Sequence, residues 1–466
     1  MALYDIPVHI KQLISSQQAF HYRIVPIAKN ETHTVFKTDS TQIDSLKIEL
    51  EILLNSSISF EEVESDELNS YLSYNYRKVN SGSLNISQEN FLDQLLNTAK
   101  EYGSSDIHIE PNEFSCRVRF RLDGKLREQY TIPLSDYPAL VNQIKNRAGL
   151  DIAQRRLSQD GRISVKNSGS DFDIRVSTMP TIRGEKVVLR ILKKDAQKVD
   201  LKQLGFNERE LKLYLEGVKK PNGIVLISGP TGSGKTTTLY GTLHLLNQEE
   251  TNILTIEDPV EYSLAGINQV QLKEDIGVNF PSALRTFLRQ DPDIIMVGEI
   301  RDEKTANMAI KAALTGHLVL STIHTNSAWA TISRLIDMGV PPYLIATTLN
   351  MSVAQRLVRK LCDDCKREQS VESEKFPEGF DYKKKVRKNW ISTGCNHCHF
   401  TGYRGRRAIY EIIPIRTDLE YSIKHNELEI DDYLTQHNLK TLKENAIELI
   451  NQGVTSIDEV YSLLEQ

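Results

Sequence analysis

The sequence predicts an α/β protein built around a parallel sheet that is covered by helices. From about residue 203 onward, short apolar segments alternate with helical segments, which is the pattern of a parallel sheet with helical crossovers. A glycine-rich phosphate-binding loop lies between one of these apolar segments and the helix that follows it. Upstream, segments that alternate apolar and polar residues are typical of half-buried strands in a separate α+β sandwich.

The bulk properties fit a globular chain of 466 residues, long enough for roughly two to four domains with cores of their own. The net charge of −5 is a weak argument against a dedicated nucleic-acid binder, which needs a basic face, and it leaves a local basic patch open. No apolar run approaches the roughly 18 residues that a membrane span needs, and the N-terminus lacks the pattern of a signal peptide. We therefore expect a cytoplasmic protein that reaches membranes only through partners.

Two modules are predicted before the parallel sheet. Residues 1–80 form a small α/β module, and the Ser/Asn-rich stretch at 78–88 is predicted to be a linker. The second module covers residues 89–194 and has α+β character. Its helical segments, NFLDQLLNTAKEYG and PALVNQIKNRAGL, accompany alternating strands, two of which are joined by an Asp-Gly turn in LDGK.

The phosphate-binding loop is the segment GPTGSGKTT, which fits the pattern G-x-x-x-x-G-K-[ST] between a strand and a helix. Its glycines allow backbone N–H groups to close around phosphates, and the helix N-terminus adds its positive dipole end. We expect Lys235 to reach the β- and γ-phosphates of ATP and the Thr236 hydroxyl to ligate Mg²⁺. The predicted nucleotide-binding residues are Gly229, Pro230, Thr231, Gly232, Ser233, Gly234, Lys235, Thr236 and Thr237.

Four of the five cysteines form two C-x-x-C pairs, Cys362/Cys365 and Cys395/Cys398. Four thiolates make a closed tetrahedral Zn²⁺ site with no position for a substrate, so the predicted role is structural. Free thiols or a redox pair are the alternatives, and the adjacent His397 or His399 could replace one thiolate. The fifth, Cys116, is expected to be buried in a strand.

Two acidic segments follow apolar strands. TIEDPVEY carries Glu257, Asp258 and Glu261, at a strand end that in open α/β sheets faces the ligand crevice. A carboxylate there can orient or deprotonate the water that attacks a γ-phosphate; the alternative is a solvated acidic loop. DIIMVGEIRD ends its strand in Gly298 and Glu299, where many nucleotide hydrolases carry a magnesium-binding aspartate. The residues alone leave open a broken magnesium site, ordinary packing or another kind of motor.

Histidines and arginines complete the set of candidates. His317 and His324 bracket a strand in TGHLVLSTIHT; His324 is placed to contact a γ-phosphate, whereas His317 fits a structural role. Arg175 and Arg190 lie on two strands of the second module that are predicted to be neighbours. They are either solvated charges on a strand face or cationic fingers that neutralise charge on a nucleotide held by the third module.

Together these segments resemble the secretion ATPase family of type II secretion and type IV pilus assembly, over about residues 91–466. The segments that carry the resemblance are SDIHIEP, RLSQDGRI, DIRVSTMPTIRGEKVVLRIL, the phosphate-binding loop, ILTIEDPVEY, LRQDPDIIMVGEIRDEKTA, TGHLVLSTIHT and the paired C-x-x-C. The resemblance implies a RecA-like P-loop ATPase domain at 203–466, with a zinc subdomain at about 356–405 and C-terminal helices at about 415–466. It also implies that residues 89–194 form a PAS-like sandwich.

The resemblance also assigns roles. Glu257 would orient or activate water, Glu299 would hold Mg²⁺ through its waters, and His324 belongs to the histidine box of the family. Lys235, Arg175 and Arg190 would neutralise phosphate charge. The remaining matches are Asp258 and Glu261 in the aspartate-rich box and His317 in the histidine box.

The family works as homo-hexameric rings in which ATP-driven domain rotation moves an inner-membrane platform protein. The resemblance thus implies a cytoplasmic motor, peripherally associated with the inner membrane, with membrane-associated docking proteins at residues 1–80 and no direct contact with nucleic acid. The retraction ATPases of the same superfamily lack the four-cysteine insertion and carry a C-terminal AIRNLIRE motif. This chain has the cysteines and no such motif, so it resembles an assembly motor and not a retraction motor. The filament, whether secretion pseudopilus, surface pilus or DNA-uptake pilus, stays open. The residues alone also allow a helicase- or conjugation-type nucleic-acid motor, or a regulatory scaffold that binds nucleotide without hydrolysing it.

Overall fold

The computed structural model describes residues 6–465, except 12, 15, 31, 41–42, 55, 77–90, 166–171, 193–198, 372–375, 382–384 and 428. The linker predicted at 78–88 lies outside the described residues. The described part contains a three-stranded, a six-stranded, a seven-stranded and a two-stranded sheet. None of the helices described is both long and apolar enough to cross a bilayer.

The first sheet belongs to the N-terminal module. Its strands are β1 (Ile24–Lys29), β2 (His33–Thr38) and β3 (Ser57–Glu62). β1 and β2 are antiparallel, whereas β3 pairs with β2 in parallel through the crossover helix α3. The helices of this module are α1 (Val8–Lys11), α2 (Ser16–Tyr22), α3 (Ile43–Leu54) and α4 (Ser65–Asn75). The sequence did not predict β3, because its apolar residues are only Ile58 and Phe60 among polar ones.

The second sheet has six antiparallel strands in the order β6-β5-β4-β9-β8-β7. They are β4 (Asp106–Pro111), β5 (Cys116–Leu122), β6 (Lys125–Ile132), β7 (Gln159–Val165), β8 (Phe172–Thr181) and β9 (Gly184–Leu192). Helices α5 (Phe91–Glu101) and α6 (Tyr137–Arg147) share its apolar core. Alternate strand residues face away from this core, so the opposite face of the sheet carries charged side chains. Cys116 is buried in the core, as predicted.

The third sheet has the order β12-β11-β13-β14-β10-β15-β18 and is parallel except for the last pair. Its strands are β10 (Gly223–Ser228), β11 (Ile253–Glu257), β12 (Asn268–Gln271), β13 (Ile294–Val297), β14 (Leu318–Ile323), β15 (Leu349–Leu361) and β18 (Tyr403–Pro414). β10 and β14 are buried along their whole length, as expected for strands covered on both faces. The predicted parallel sheet is thus present.

Helices connect and cover these strands. They are α7 (Glu208–Val218), α8 (Lys235–Leu246), α9 (Phe280–Phe287), α10 (Glu303–Leu314), α11 (Ala330–Asp337) and α12 (Pro342–Thr348). Four more follow β18: α13 (Glu420–Lys424), α14 (Asp431–Gln436), α15 (Leu442–Asn451) and α16 (Ile457–Leu464). Because α8 directly follows β10 and its loop, the sheet places the phosphate-binding segment at the carboxyl end of a central strand.

The long antiparallel pair of β15 and β18 carries the four-cysteine insertion. Residues 356–361 and 403–405, which the sequence assigned to the zinc subdomain, belong to these two strands. The segment between them, residues 362–402, contains an antiparallel pair of short strands, β16 (Lys366–Gln369) and β17 (Asn389–Ser392). The backbone N–H of Cys362 donates to the Gly402 carbonyl oxygen at 3.0 Å and closes the base of the insertion.

Candidate nucleotide and metal sites

The phosphate-binding loop needs its glycines for backbone reasons. Gly229, Gly232 and Gly234 have φ values of 147°, 82° and 88°, in the region that side chains disfavour. Gly229 and Gly234 also lie against β15. A Cβ on Gly229 would stand 2.5 Å from the Gln355 carbonyl oxygen, and one on Gly234 would stand 2.9 Å from the Gln355 side-chain nitrogen. The loop is therefore shaped against the neighbouring strand, with Pro230, Thr231, Gly232, Thr236 and Thr237 exposed.

Gln355 supports this loop and was not predicted from the sequence. Its side chain is buried; Nε2 donates to the Ser233 carbonyl oxygen at 2.9 Å, and Oε1 accepts from the Thr238 hydroxyl at 2.9 Å. The loop and the first turn of α8 are thus joined to β15 through one amide. A glutamine inside a largely apolar strand is the only sequence signal of this role, because a buried amide must find partners.

Lys235 begins α8 and folds back over the loop. Its Nζ donates to the carbonyl oxygens of Gly229 at 2.7 Å and Pro230 at 3.1 Å. Burial lowers the pKa of Lys235, the nearby Arg356 lowers it further, and the negative charge of Glu299 acts in the opposite direction. The loop lysine and the Glu299 carboxylate therefore lie within electrostatic range of each other.

Glu257 is the last residue of β11, and its carboxylate is buried rather than solvated. One oxygen accepts from the Thr255 hydroxyl at 2.6 Å and from Gln269 Nε2 at 3.0 Å. The other accepts from the hydroxyl of Tyr240, which lies on α8. Burial, together with the Glu257 charge, raises the pKa of Tyr240 and keeps it a donor. The acidic segment is therefore tied to the helix that follows the phosphate-binding loop.

Glu299 is placed by a close contact between strand ends. Gly298 donates to the Ile256 carbonyl oxygen at 2.8 Å, and a Cβ there would lie 3.3 Å from that oxygen. The Thr322 hydroxyl donates to the Gly298 carbonyl oxygen at 2.8 Å. The glycine before Glu299 is thus explained by packing between β11 and β14, and the glutamate projects from the carboxyl end of the parallel sheet.

The Glu299 carboxylate contacts two side chains of this chain, Arg301 and His324. One oxygen accepts from Arg301, and the other lies 3.4 Å from His324 Nε2. Arg301 was not predicted to take part in the site, although it lies in the quoted DIIMVGEIRD segment. His317 lies at the other end of β14, where its Nδ1 is 2.9 Å from the Ala312 carbonyl oxygen. Only the second histidine of the predicted pair is therefore at the candidate site.

The two arginines of the second module lie on neighbouring strands, as predicted, and they are opposite each other on β8 and β9. Arg175 donates to the Val260 carbonyl oxygen at 2.8 Å and lies 3.8 Å from Glu261, so it contacts the acidic segment of the same chain. Arg190 is held by Asp106, with Nε 2.9 Å from Oδ1. That hydrogen bond raises the pKa of Arg190. Asp106, which also lies 3.2 Å from Arg121, was not predicted as an orienting residue.

The four paired cysteines converge on one point. Their Sγ atoms all lie within 4.8 Å of one another, and three Sγ–Sγ distances are 3.8, 3.8 and 3.9 Å. Thiolates at about 2.3 Å from a tetrahedral ion would be separated by about 3.8 Å, so the sulfur positions fit such an ion. The backbone N–H groups of Cys395 and Gly402 point at Cys398 Sγ at 3.2 and 3.3 Å. A metal can be held by this cluster.

The neighbouring histidines have other contacts. His397 Nδ1 contacts the Asp364 carboxylate, and the His399 ring stacks on Tyr102 with ring centroids 4.0 Å apart. His397, Cys362 and Asp364 form a second possible but more exposed ligand group. The four-sulfur set is the more buried of the two. Because Tyr102 directly follows α5, the contact with His399 joins the insertion to the second module.

Comparison with known proteins identifies the family. Residues 85–462 match the family described as Type II/IV secretion system protein. The chain belongs to this family. The resemblance to the secretion family that the sequence predicted is therefore confirmed. The matched region begins before the second sheet and includes the phosphate-binding loop, the acidic segments and the four-cysteine insertion.

Curated relatives of this chain include a pilus assembly ATPase and a type II secretion protein. The type IV pilus assembly ATPase PilB of Myxococcus xanthus is 46% identical over 78% of this chain and 66% of its own length. A type II secretion system protein E of Pseudomonas aeruginosa is 46% identical over 79% of this chain and 74% of its own. The match thus spans about two thirds of the length of the pilus relative.

A solved structure supports the fold. The pilus retraction motor PilT with bound ADP superposes with a TM-score of 0.54, at 26% identity, over 79% of this chain and 95% of that one. The curated relatives named for assembly or secretion are more similar in sequence than this retraction motor, in agreement with the predicted assembly type. The mixed α/β architecture is therefore that of secretion-type ATPases.

Proposed function

We propose that this chain hydrolyses ATP and acts as a motor that powers assembly of a pilus or pseudopilus. The observation that carries the proposal is the grouping of Lys235, Glu257 and Glu299 at the carboxyl ends of three strands of one parallel sheet, β10, β11 and β13. Lys235 is the first residue of the helix that follows the phosphate-binding loop. Glu257 is the last residue of β11, and Glu299 comes two residues after the end of β13. Such sites position phosphates and the attacking water.

The residues divide the work by their chemistry. Lys235 exchanges the Gly229 and Pro230 carbonyl oxygens for phosphate oxygens and neutralises their charge. Glu257 orients the attacking water or takes its proton, after exchanging one of its present hydrogen bonds. His324, whose Nε2 lies 3.4 Å from the Glu299 carboxylate, would donate to a phosphate oxygen.

The oxygen donors near the loop suit a hard divalent cation. The Thr236 hydroxyl and the Glu299 carboxylate would hold Mg²⁺, the latter through water. When bound, Mg²⁺ neutralises the charge that develops on the transferred phosphoryl group. We assign the four sulfurs of Cys362, Cys365, Cys395 and Cys398 to a structural Zn²⁺, on the strength of their separations and their closed set.

The proposed architecture follows the predicted domains. Residues 1–80 would be a partner-docking module, 89–194 a PAS-like sandwich that carries the arginines, and 203–466 a RecA-like domain. Within the last, the zinc subdomain covers about 356–405 and the C-terminal helices about 415–466. The separate three-, six- and seven-stranded sheets support this division.

The proposed working form is a homo-hexameric ring in the cytoplasm, at the inner membrane. It would act on a membrane platform protein, and residues 1–80 would dock to a membrane-associated partner. The names of the curated relatives, a pilus assembly ATPase and a type II secretion protein, support work in a pilus or secretion machine. They support both a pilus and a secretion system, so the proposal includes either filament.

Turnover measurements test the proposal against its two rivals. Purified full-length protein should hydrolyse ATP in single-turnover and steady-state assays, with a rate that added single- or double-stranded DNA leaves unchanged. DNA-stimulated turnover together with salt-sensitive DNA binding would favour the nucleic-acid motor. Nucleotide binding without any product in single turnover would favour the regulatory scaffold.

Arg190→Ala should lower ATP turnover by about 10³-fold, at the low end of what arginine fingers contribute. Nucleotide affinity should change much less, because the arginine stabilises charge that is larger in the transition state than in the ground state. Steady-state kinetics and ADP binding by fluorescence measure the two quantities. Arg183→Ala, in the turn of the same hairpin and paired with Glu113, is the matched control. Unchanged turnover in Arg190→Ala would make this arginine a solvated surface charge.

A further inference from the structure

Arg301 is a positively charged residue whose guanidinium contacts the carboxylate of Glu299, the residue proposed to hold Mg²⁺. It follows Glu299 by two residues, and its Nη2 contacts Glu299 and lies 3.8 Å from Asp258 Oδ2. Its side chain is 58% exposed, whereas that of Glu299 is 15% exposed. A solvent-accessible guanidinium thus caps a mostly buried carboxylate.

A divalent cation and this guanidinium use the same oxygens. Carboxylate oxygens are the ligands that Mg²⁺ prefers, directly or through water, and they are also the preferred acceptors of arginine. We propose that Arg301 competes with the divalent cation for Glu299 and so sets the magnesium concentration that the site requires. The inference rests on the proposed function, in which Glu299 holds the cation.

Competition follows from the arrangement of charges. Glu299 already has His324 on its second oxygen and Lys235 within electrostatic range. Adding a divalent cation while Arg301 stays in contact would bring like charges to within a few ångströms in a partly desolvated site, which is unfavourable. Because Arg301 is exposed and Asp258 is beside it, the guanidinium can leave Glu299 and still keep a carboxylate partner.

Arg301→Gln should therefore bind divalent cation more tightly. The experiment uses the full-length protein with ADP and follows Mn²⁺ binding by electron paramagnetic resonance. We expect the Mn²⁺ dissociation constant to fall by about ten-fold in low salt, and the difference to shrink as added salt screens the charges. Arg301→Lys keeps a cation on the carboxylates and should bind Mn²⁺ within about two-fold of the original protein.

Two further variants make the result decisive. Arg334→Gln removes an exposed arginine on α11 and should leave Mn²⁺ binding unchanged. Glu299→Gln should weaken Mn²⁺ binding. If Glu299→Gln binds Mn²⁺ normally, the proposed function loses its magnesium carboxylate. If Glu299→Gln weakens binding while Arg301→Gln leaves it unchanged or weaker, the competition is overturned and the proposed site stands.

Discussion

Lys235→Ala should remove ATP turnover almost completely, with a fall of at least about 10²-fold. The side chain supplies the positive charge that reaches the β- and γ-phosphates, and such preorganised charge in a partly buried site is worth several kcal/mol. Its Nζ is held by two carbonyl oxygens of the loop, so the fold does not depend on a salt bridge of this lysine. The expected loss is therefore in nucleotide handling and not in stability.

The measurement combines turnover, ADP binding and thermal unfolding. Lys235→Ala should also weaken ADP binding, whereas Glu299→Gln should lose turnover but keep most of its affinity for nucleotide without metal. Lys220→Ala, at an exposed position before β10, is the control and should behave as the original protein. Near-normal turnover in Lys235→Ala or Glu299→Gln would contradict the site assignment. A Lys235→Ala protein with a lowered melting temperature would mean that the lysine is needed for the fold as well.

Much of the architecture can be predicted because its signals are local. The apolar runs of β10, β11, β13 and β14 are fully buried and separated by helices, so periodicity and length suffice to identify them. β15 and β18 escaped prediction because they mix apolar residues with glutamine, arginine and glutamate. Buried polar side chains of these strands form hydrogen bonds with residues far away in the sequence, such as Gln355 with Ser233 and Glu411 with Ala328. A short window of sequence does not contain both partners.

Some residues of the candidate site can likewise be identified from a local sequence pattern, whereas others are defined by contacts between distant parts of the chain. The loop pattern identifies Lys235 and Thr236, since phosphate binding requires fixed residue types at fixed spacing. Gln355 and Asp106 act through contacts that span 122 and 84 residues of chain, to Ser233 and Arg190 respectively. The burial of Glu257 among hydroxyls and an amide is likewise a tertiary property, and a local acidic cluster resembles a solvated loop until the sheet is assembled.

The structure explains why Gly298 and Glu299, which follow β13, stand where other nucleotide hydrolases carry an aspartate. Considered alone, the missing aspartate made Glu299 resemble a damaged magnesium site. Gly298 fits a close approach of the β11 backbone, where a Cβ would stand only 3.3 Å from the Ile256 carbonyl oxygen. The longer glutamate side chain then reaches Arg301 and His324. The substitution thus belongs to a consistent local arrangement, in which packing explains the glycine and charge pairing explains the glutamate.

Cys362→Ser should remove the metal and unfold the insertion between Cys362 and Gly402 without unfolding the seven-stranded sheet. Purified protein should contain about one zinc per chain, and structural zinc contributes on the order of 10 kcal/mol of folding energy. The described apolar cluster around this site consists of the cysteines themselves, so the insertion has little other core at that point. Elemental analysis gives the metal content, and hydrogen exchange or limited proteolysis locates the loosened segment.

Cys116→Ser provides the matched control, because this cysteine is buried in β5 and belongs to the core of the second module. It should lower stability while leaving the zinc content unchanged. The unfolding in Cys362→Ser should stop at the strands, since Leu361 donates to the Val454 carbonyl oxygen at 2.8 Å and β15 pairs with both β10 and β18. Carefully prepared protein without metal would end the zinc assignment. Loss of protection that spreads along β15 to Gln355 would instead mean that the insertion also maintains the phosphate-binding loop.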